Sequence, residues 1–260
     1  MNRRTFLHSA LTTAAAVAAS GTLGGHPALA IGEGAMGAGG GQTPRPKGVP
    51  PEWRAQGKWI IPTNKPSRFG LKVMAFNPIP APDPAKWTLE IGGLVEEPIT
   101  LNVTDLDNLP KVEQSSRLKC VQCWSGRVKW TGFGAKSLLK ATRLKAGAGW
   151  VRVDCADKYY DFVKLDDLFN ERTIFAVGMN GEAMPPEHGA PLRLVMPFKY
   201  GYKSSKLITK LTFVEKGERG LVTDGMPYYS ESGDILPGLD HPFEFPDEAR
   251  KIKGGEIVEY

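Results

Sequence analysis

Arg117-Leu-Lys119-Cys120-Val-Gln-Cys123-Trp-Ser-Gly-Arg-Val-Lys-Trp130-Thr-Gly-Phe133-Gly134 places one cysteine, Cys120, at the end of a short apolar and basic run, with lysines and arginines on both sides. Cationic neighbours favour the thiolate over the thiol, and the thiolate is the form that ligates a metal or attacks. Cys120 and Cys123 form a Cys-x-x-Cys. Taken alone, that spacing fits a redox dithiol, half of a zinc site, or coincidence. A zinc site needs further ligands of the right kind. The chain has four histidines, and two of them, His8 and His26, lie near the N-terminus. The third cysteine, Cys155, makes the count odd, so at least one sulfur is unpaired even where disulfides are permitted. A thiol–disulfide oxidoreductase would set its Cys-x-x-Cys in a βαβ context, whereas this segment reads as strand and loop.

Outward from that stretch, short alternating runs predominate. Trp87-Thr-Leu-Glu-Ile-Gly, Ile99-Thr-Leu-Asn-Val, Val151-Arg-Val-Asp-Cys, Thr173-Ile-Phe-Ala-Val-Gly-Met, Leu192-Arg-Leu-Val-Met and Ile208-Thr-Lys-Leu-Thr-Phe-Val all read as strands. Thr104-Asp-Leu-Asp-Asn-Leu reads as a capped short helix, and 135–141 and 164–169 as two more. Asn77-Pro-Ile-Pro-Ala-Pro-Asp-Pro is an extended, proline-set loop. Strands with short, irregularly placed helices argue for an α+β, mainly β domain rather than a doubly wound one. There is no internal repeat and no Gly-rich nucleotide loop.

The chain opens Asn2-Arg3-Arg4-Thr5-Phe6-Leu7, continues as a weakly apolar stretch from Leu11 to Ala19, and reaches Ala28-Leu29-Ala30, a small-x-small cleavage pattern. The apolar run is too short and Thr-rich for a bilayer span. Residues 1–30 therefore read as a twin-arginine leader. The mature protein is expected to begin at or near Ile31 and to be periplasmic. That route carries folded proteins, which suits a protein that takes up a bulky cofactor in the cytoplasm. Residues 31–66 are rich in Gly, Pro and polar side chains and read as a flexible linker. The folded domain is then 67–260, with a surface-wrapping tail from about 222. About 230 residues remain after the leader, enough for one sizeable core. The leader carries two arginines and no acid, so its removal lowers the net charge from +5 to +3. That surplus is too small to argue for nucleic acid.

A second informative stretch is Glu187-His188-Gly-Ala-Pro-Leu-Arg193-Leu-Val-Met-Pro-Phe-Lys199-Tyr-Gly-Tyr-Lys203-Ser204-Ser205-Lys206. A strand is flanked by one Arg and three Lys, with Gly and Ser at the turn. Such a loop offers cationic heads, hydroxyls and backbone N–H groups to an anion. Lys210 reads as solvent-facing on the next strand.

Both stretches resemble the sulfite oxidase superfamily of molybdopterin enzymes, and within it the methionine sulfoxide reductase branch. In that family a Cys one residue after a basic or polar position ligates molybdenum, and in that branch a Trp-Ser and a Trp-x-Gly-Phe follow. Here those are Cys120, Trp124-Ser125 and Trp130-Thr131-Gly132-Phe133. The second stretch resembles the pterin-binding segment, with Met179-Asn180-Gly181 and Pro185-Pro186 ahead of it. The resemblance covers residues from about 60 to 215 and implies a sulfite oxidase-type molybdopterin-binding fold with a molybdenum–molybdopterin cofactor. It implies Cys120 as the catalytic metal ligand, His188 and Arg193 as cofactor contacts, and Ser204, Ser205 and Lys206 as the cradle of its phosphate end. Cys155 stands where the reductase branch has a Thr near the metal.

The chain also departs from the family. Sulfite oxidases hold their oxyanion with an Arg and a Tyr. The Arg position here is Met74, or Lys72 with a shift of two, and the Tyr position is Val177. A small dianion needs paired cations and donors, so a neutral S- or N-oxide, small or protein-bound, is the expected substrate, with sulfite dehydrogenation as the alternative. The Asn-Asn-aromatic stretch of the reductase branch has only Asn64 and Phe69 as counterparts. Cys123 replaces a small apolar residue. About 45 residues follow Phe213, too few for the immunoglobulin-like dimerisation sandwich of the larger relatives, so a single-domain monomer is expected. Trp124 follows Cys123, so no haem-attachment Cys-x-x-Cys-His exists there. Electrons are expected from a membrane haem subunit or a soluble cytochrome. The rival readings are a thiol–disulfide oxidoreductase using Cys120 and Cys123, and a binding protein that has lost the metal.

Overall fold

Residues 61–66 belong to the expected linker, yet Ile61–Pro66 (β1) pairs antiparallel with Lys72–Ala75 (β2) in the computed structural model. The structure describes residues 61–66, 71–75, 77–121, 125–225, 229–236, 238–240 and 250–251. The expected leader and the rest of the expected linker lie outside these residues, as do Cys123, Trp124 and Phe69. Asn64 falls on β1.

The strands that follow are Thr88–Gly93 (β3), Ile99–Asn102 (β4), Val112–Lys119 (β5), Ser125–Phe133 (β6), Trp150–Cys155 (β7), Tyr160–Lys164 (β8), Ile174–Met179 (β9), Glu182–Ala183 (β10), Arg193–Val195 (β11) and Ile208–Val214 (β12). One sheet has the order β4-β3-β12-β7-β8; the other has β10-β9-β6-β5, with β11 also on β9. β12 runs parallel to β3 and antiparallel to β7. Among the described residues the α-helices are short, Val103–Asp107, Ala135–Leu138, Leu165–Leu168 and Leu221–Gly225. The fold is α+β and mainly β, as the alternation implies. The first of these helices is capped one step earlier than expected. Asn102 Oδ1 accepts from the Asp105 backbone N–H at 3.0 Å, and Asp105 Oδ2 accepts from the Asn102 N–H at 2.8 Å. This reciprocal pair satisfies two otherwise orphaned donors of the first turn.

Period-two patterning decides which face each strand shows. In β7, Val151, Val153 and Cys155 point inward while Trp150, Arg152 and Asp154 stay half-exposed. The inward residues join Leu89, Ile91, Leu211 and Phe213 of the same sheet, and Phe133, Phe175, Leu192 and Leu194 of the other, in one core. The second sheet is buried on its far face too, where Leu118, Val128, Trp130, Ile174 and Ala176 pack with Leu71. That is why 174–179 reads as a continuous apolar run: both faces are covered.

β8 was not expected, because a charged residue interrupts it. Asp161 is buried there, and Lys203 reaches it at 2.9 Å while also donating to the Phe162 carbonyl at 2.7 Å. Burial pushes the Asp161 carboxyl up, and the Lys203 ammonium partly offsets this. The pair fastens the 201–206 turn to the first sheet. Lys203→Met would leave a buried carboxylate without its cation, a loss of about 3–5 kcal/mol. Replacing both partners with apolar residues should recover most of that loss. Urea denaturation of Lys203→Met and of the double variant Asp161→Leu/Lys203→Met checks this; equal destabilisation of the two would contradict it.

Candidate cofactor and active site

The β5–β6 hairpin stays in register over eight pairs, ending at Lys119↔Ser125, so Cys120 is the first residue beyond the ladder. Lys119 also makes a parallel bridge to Tyr200. The backbones come so close that a Cβ at Gly201 would stand 3.1 Å from the Lys119 carbonyl oxygen. The cysteine and the 201–206 turn are therefore neighbours although some 80 residues separate them. A second glycine builds the other side. Gly189 has φ +113°, and a Cβ there would lie 2.9 Å from Lys206 Cβ and 3.1 Å from Arg193 Cβ. Glycine adopts this conformation without strain and leaves room for both cationic side chains.

Between these elements lies a cleft of about 840 Å3, its open mouth included. Cys120, His188, Arg193, Ser204, Ser205 and Lys206 all line it. Arg193 is buried, its guanidinium 4.9 Å from the Trp130 ring centroid. One Nη donates to the His188 carbonyl at 2.9 Å and the other, more weakly, to that of Ser204 at 3.4 Å. Its Nε has no hydrogen-bond partner. Lys206 Nζ donates to the Met74 carbonyl at 2.6 Å and the Glu187 carbonyl at 3.2 Å. A third ammonium donor remains. Neither cation meets a carboxylate at ion-pair distance among the described residues. Desolvation lowers the Arg193 pKa to about 9 and the Lys206 pKa to about 8. Ser204 Oγ accepts from the Met196 N–H at 3.1 Å, which leaves its hydroxyl proton to donate. Ser205 Oγ is buried without a hydrogen bond of normal geometry.

A buried Arg193 and a half-buried Lys206, neither in an ion pair, an orphaned guanidinium N–H and two hydroxyls in one cleft, with a thiol on its wall, fit an anionic group that also needs a sulfur ligand. Among the described residues no group of three or more His, Cys, Asp or Glu could hold a metal ion. A metal at Cys120 would therefore arrive with donors of its own, as a pterin dithiolene provides. The residues fit the cofactor that the resemblance implies.

Other expectations are corrected. Cys155 does not line the cleft. The alternation of β7 turns it into the main core, where burial raises its thiol pKa well above the ordinary value and the adjacent Ser205 hydroxyl offsets a little of that. Two of the four cations in the 187–206 stretch are spent on structure. Lys203 holds Asp161, and Lys199 holds Asp167 at 3.1 Å and Asp234 at 2.8 Å. Lys210 is solvent-facing as expected and pairs with Glu90. The basic residues before Cys120 do not gather around the cleft either. Lys119 donates to the Leu239 carbonyl at 3.1 Å, Arg117 is buried in its sheet, and neither lines the cleft. Val177 packs against the main core and is not a cleft residue, so its inability to donate says nothing about substrate. Met74 does line the cleft.

The sequence reading missed Asp157, Tyr159, Tyr202, Val222 and Tyr229, all of which line the cleft. Asp157 lies in the β7–β8 turn, where burial raises its pKa. An Asp-Lys pair between two alternating runs was the available signal. Val222 and Tyr229 belong to the tail, which closes over the cleft edge instead of merely covering surface.

The Lys206 shift carries a pH dependence. Its folded pKa lies below the ordinary 10.5, so burying the charged form costs stability below about pH 8, and that cost lifts as pH rises toward 10.5. Sulfate keeps a constant charge over this range. It should raise the melting temperature of cofactor-free protein at about pH 7 and do so much less at about pH 9. Lys206→Met should remove most of the difference. Equal sulfate stabilisation at both pH values in the unaltered protein would contradict the assignment.

Comparison with known proteins agrees with this geometry. Residues 76–222 match the family described as the oxidoreductase molybdopterin binding domain. The protein-methionine-sulfoxide reductase catalytic subunit MsrP of Campylobacter jejuni is 31% identical over 174 residues, covering 60% of this chain and 59% of that relative. The chain thus spans about six-tenths of the curated relative's length. Among solved structures, the sulfane dehydrogenase SoxCD from Paracoccus pantotrophus matches with a TM-score of 0.56 at 18% identity, over 85% of this chain and 64% of that one; this likeness concerns the fold. The family match spans more than half of the sequence and includes all six expected site residues that meet in the cleft, and the chain belongs to the oxidoreductase molybdopterin-binding domain family.

Proposed function

We propose that the protein is an exported molybdenum-cofactor oxidoreductase that transfers an oxygen atom, reducing a sulfoxide or N-oxide. The observation that carries this reading is the shared cleft of Cys120 with the cations Arg193 and Lys206, neither of which is in an ion pair among the described residues. Cys120 would supply a thiolate to molybdenum; soft sulfur donors suit such a centre. Lys206 and the Ser204 and Ser205 hydroxyls would hold the phosphate end of the pterin. Arg193, already braced by the His188 and Ser204 carbonyls, would set the height of both turns against it. When bound, the cofactor supplies two-electron redox chemistry and accepts oxygen. In the net reaction the S–O or N–O bond breaks and oxygen leaves as water. Two protons come from solvent and two electrons from an external haem protein, a membrane subunit or a soluble cytochrome. The Arg3-Arg4 leader supports a periplasmic location reached by the twin-arginine route. Met74 offers no charge to a small dianion, which favours a neutral oxide over sulfite.

Protein matured in a molybdenum-replete host should carry the metal and reduce methionine sulfoxide or an N-oxide more efficiently than it oxidises sulfite. Cys120→Ser should abolish both turnover and the molybdenum redox signal. Cys155→Ser should leave molybdenum content intact, because that thiol faces the core. Near-normal turnover by Cys120→Ser, or preferential oxidation of sulfite, would overturn the reading.

A further inference from the structure

The lining of the cleft is of two kinds. Its cationic part is built by Arg193, Ser204, Ser205 and Lys206. The rest is mostly apolar and aromatic, formed by Met74, Val121, Tyr159, Tyr202, Val222 and Tyr229, which belong to one cluster, and it adjoins the cationic part, because the Met74 carbonyl accepts from Lys206. Val121 follows Cys120 in the chain, so this cluster begins beside the thiol. The hydroxyls of two of its rings are already engaged: Tyr159 donates to the Tyr202 carbonyl at 2.7 Å, and Tyr202 to the Ser230 carbonyl at 2.6 Å. These rings therefore offer chiefly carbon surface to the cleft. Tyr229 stands edge-on to Tyr202, ring centroids 4.7 Å apart.

The origin of this wall matters. The family match runs from 76 to 222. Every residue of the cationic part falls inside it, whereas Met74 and Tyr229 fall outside it on opposite sides. Tyr229 rides on segment 229–236, which is clamped to the cofactor-side turn. Lys199 pairs with Asp234 at 2.8 Å, the Tyr200 N–H donates to the Gly233 carbonyl at 2.7 Å, and the Leu236 N–H donates to the Tyr200 hydroxyl at 3.0 Å. An aromatic side chain added from beyond the shared domain is thus fixed in place against the shared machinery.

We infer that Met74 and Tyr229 form a substrate-selecting wall that receives the apolar substituent of a neutral oxide, so that the segments flanking the shared domain set which oxide is accepted. This rests on the oxygen-transfer reading above. Aromatic rings and a thioether provide dispersion contact to apolar groups without demanding charge. A substituent the size of a phenyl ring would bury against them, and a methyl group would gain far less.

The test compares methyl phenyl sulfoxide with dimethyl sulfoxide on molybdenum-loaded full-length protein and its Tyr229→Ala, Tyr229→Phe and Met74→Ala variants. Three quantities are read: kcat and KM for each oxide, molybdenum per chain, and calorimetric binding of methyl phenyl sulfide. Tyr229→Ala should lower the kcat/KM ratio of the phenyl to the methyl substrate by about tenfold, mainly through KM, and weaken sulfide binding to a similar degree. Tyr229→Phe should keep most of the preference, and Met74→Ala should lose part of it. A ratio unchanged in Tyr229→Ala, or a fall in molybdenum content that accounts for its lost activity, would overturn the inference. If the loaded protein turns over no oxide, the functional proposal fails, and sulfide binding still decides the wall: an affinity equal in all variants sinks it.

Discussion

One backbone bridge, from Lys119 to Tyr200, joins the two halves of the candidate site. On one side is the end of the β5–β6 hairpin, which carries Cys120. On the other is the turn that carries Ser204, Ser205 and Lys206. The bridge leaves little room for a side chain at residue 201, where a Cβ would stand 3.1 Å from the Lys119 carbonyl oxygen. The neighbouring layers hold this junction from both flanks. Lys203 is tied into the first sheet through Asp161, and Lys199 ties the tail through Asp234. A shift of either partner by one residue would move the thiol away from the cationic part and divide the cleft.

Electrostatics then give the junction a purpose. A protein interior accepts a charged side chain when a counter-charge accompanies it. The fold gives Lys199 and Lys203 direct ion pairs, whereas Arg193 and Lys206 are held by carbonyl oxygens and an indole face, and the nearby Asp157 and Glu187 offset only part of the desolvation of Lys206. Desolvation accordingly lowers both pKa values. An incoming anion would offset that desolvation, so site formation and ligand capture favour one another. The same logic separates the four cations of one loop into two structural and two available ones, a division that the sequence alone did not disclose.

The legible parts were those governed by local pattern. Alternation located the main strands, and the 187–206 stretch announced an anion site because Gly, Ser and cationic residues were adjacent along the chain. Six of the seven expected site residues meet in the cleft. The seventh, Cys155, is turned inward with Val151 and Val153 by the strand periodicity of β7. β8 was hidden because Asp161 breaks its apolar pattern and its partner, Lys203, lies 42 residues away. Tyr229 was hidden for a related reason. A tail rich in Pro and Gly carries no periodic signal, and its aromatic residues acquire a role only through contacts made across the fold. Val177 was illegible for the opposite reason: its place against the main core, away from the cleft, is set by strand pairing and not by local pattern.

The central claim is that the Cys120 sulfur and the cationic residues of one cleft hold the same cofactor. Absorption fine structure at the molybdenum edge of the matured protein tests that most directly, by counting sulfur neighbours of the metal in the unaltered protein and in Cys120→Ser. The account predicts one fewer sulfur in the variant, with the remaining sulfurs retained. An identical sulfur count in the two would show that Cys120 does not hold the metal, and would contradict it.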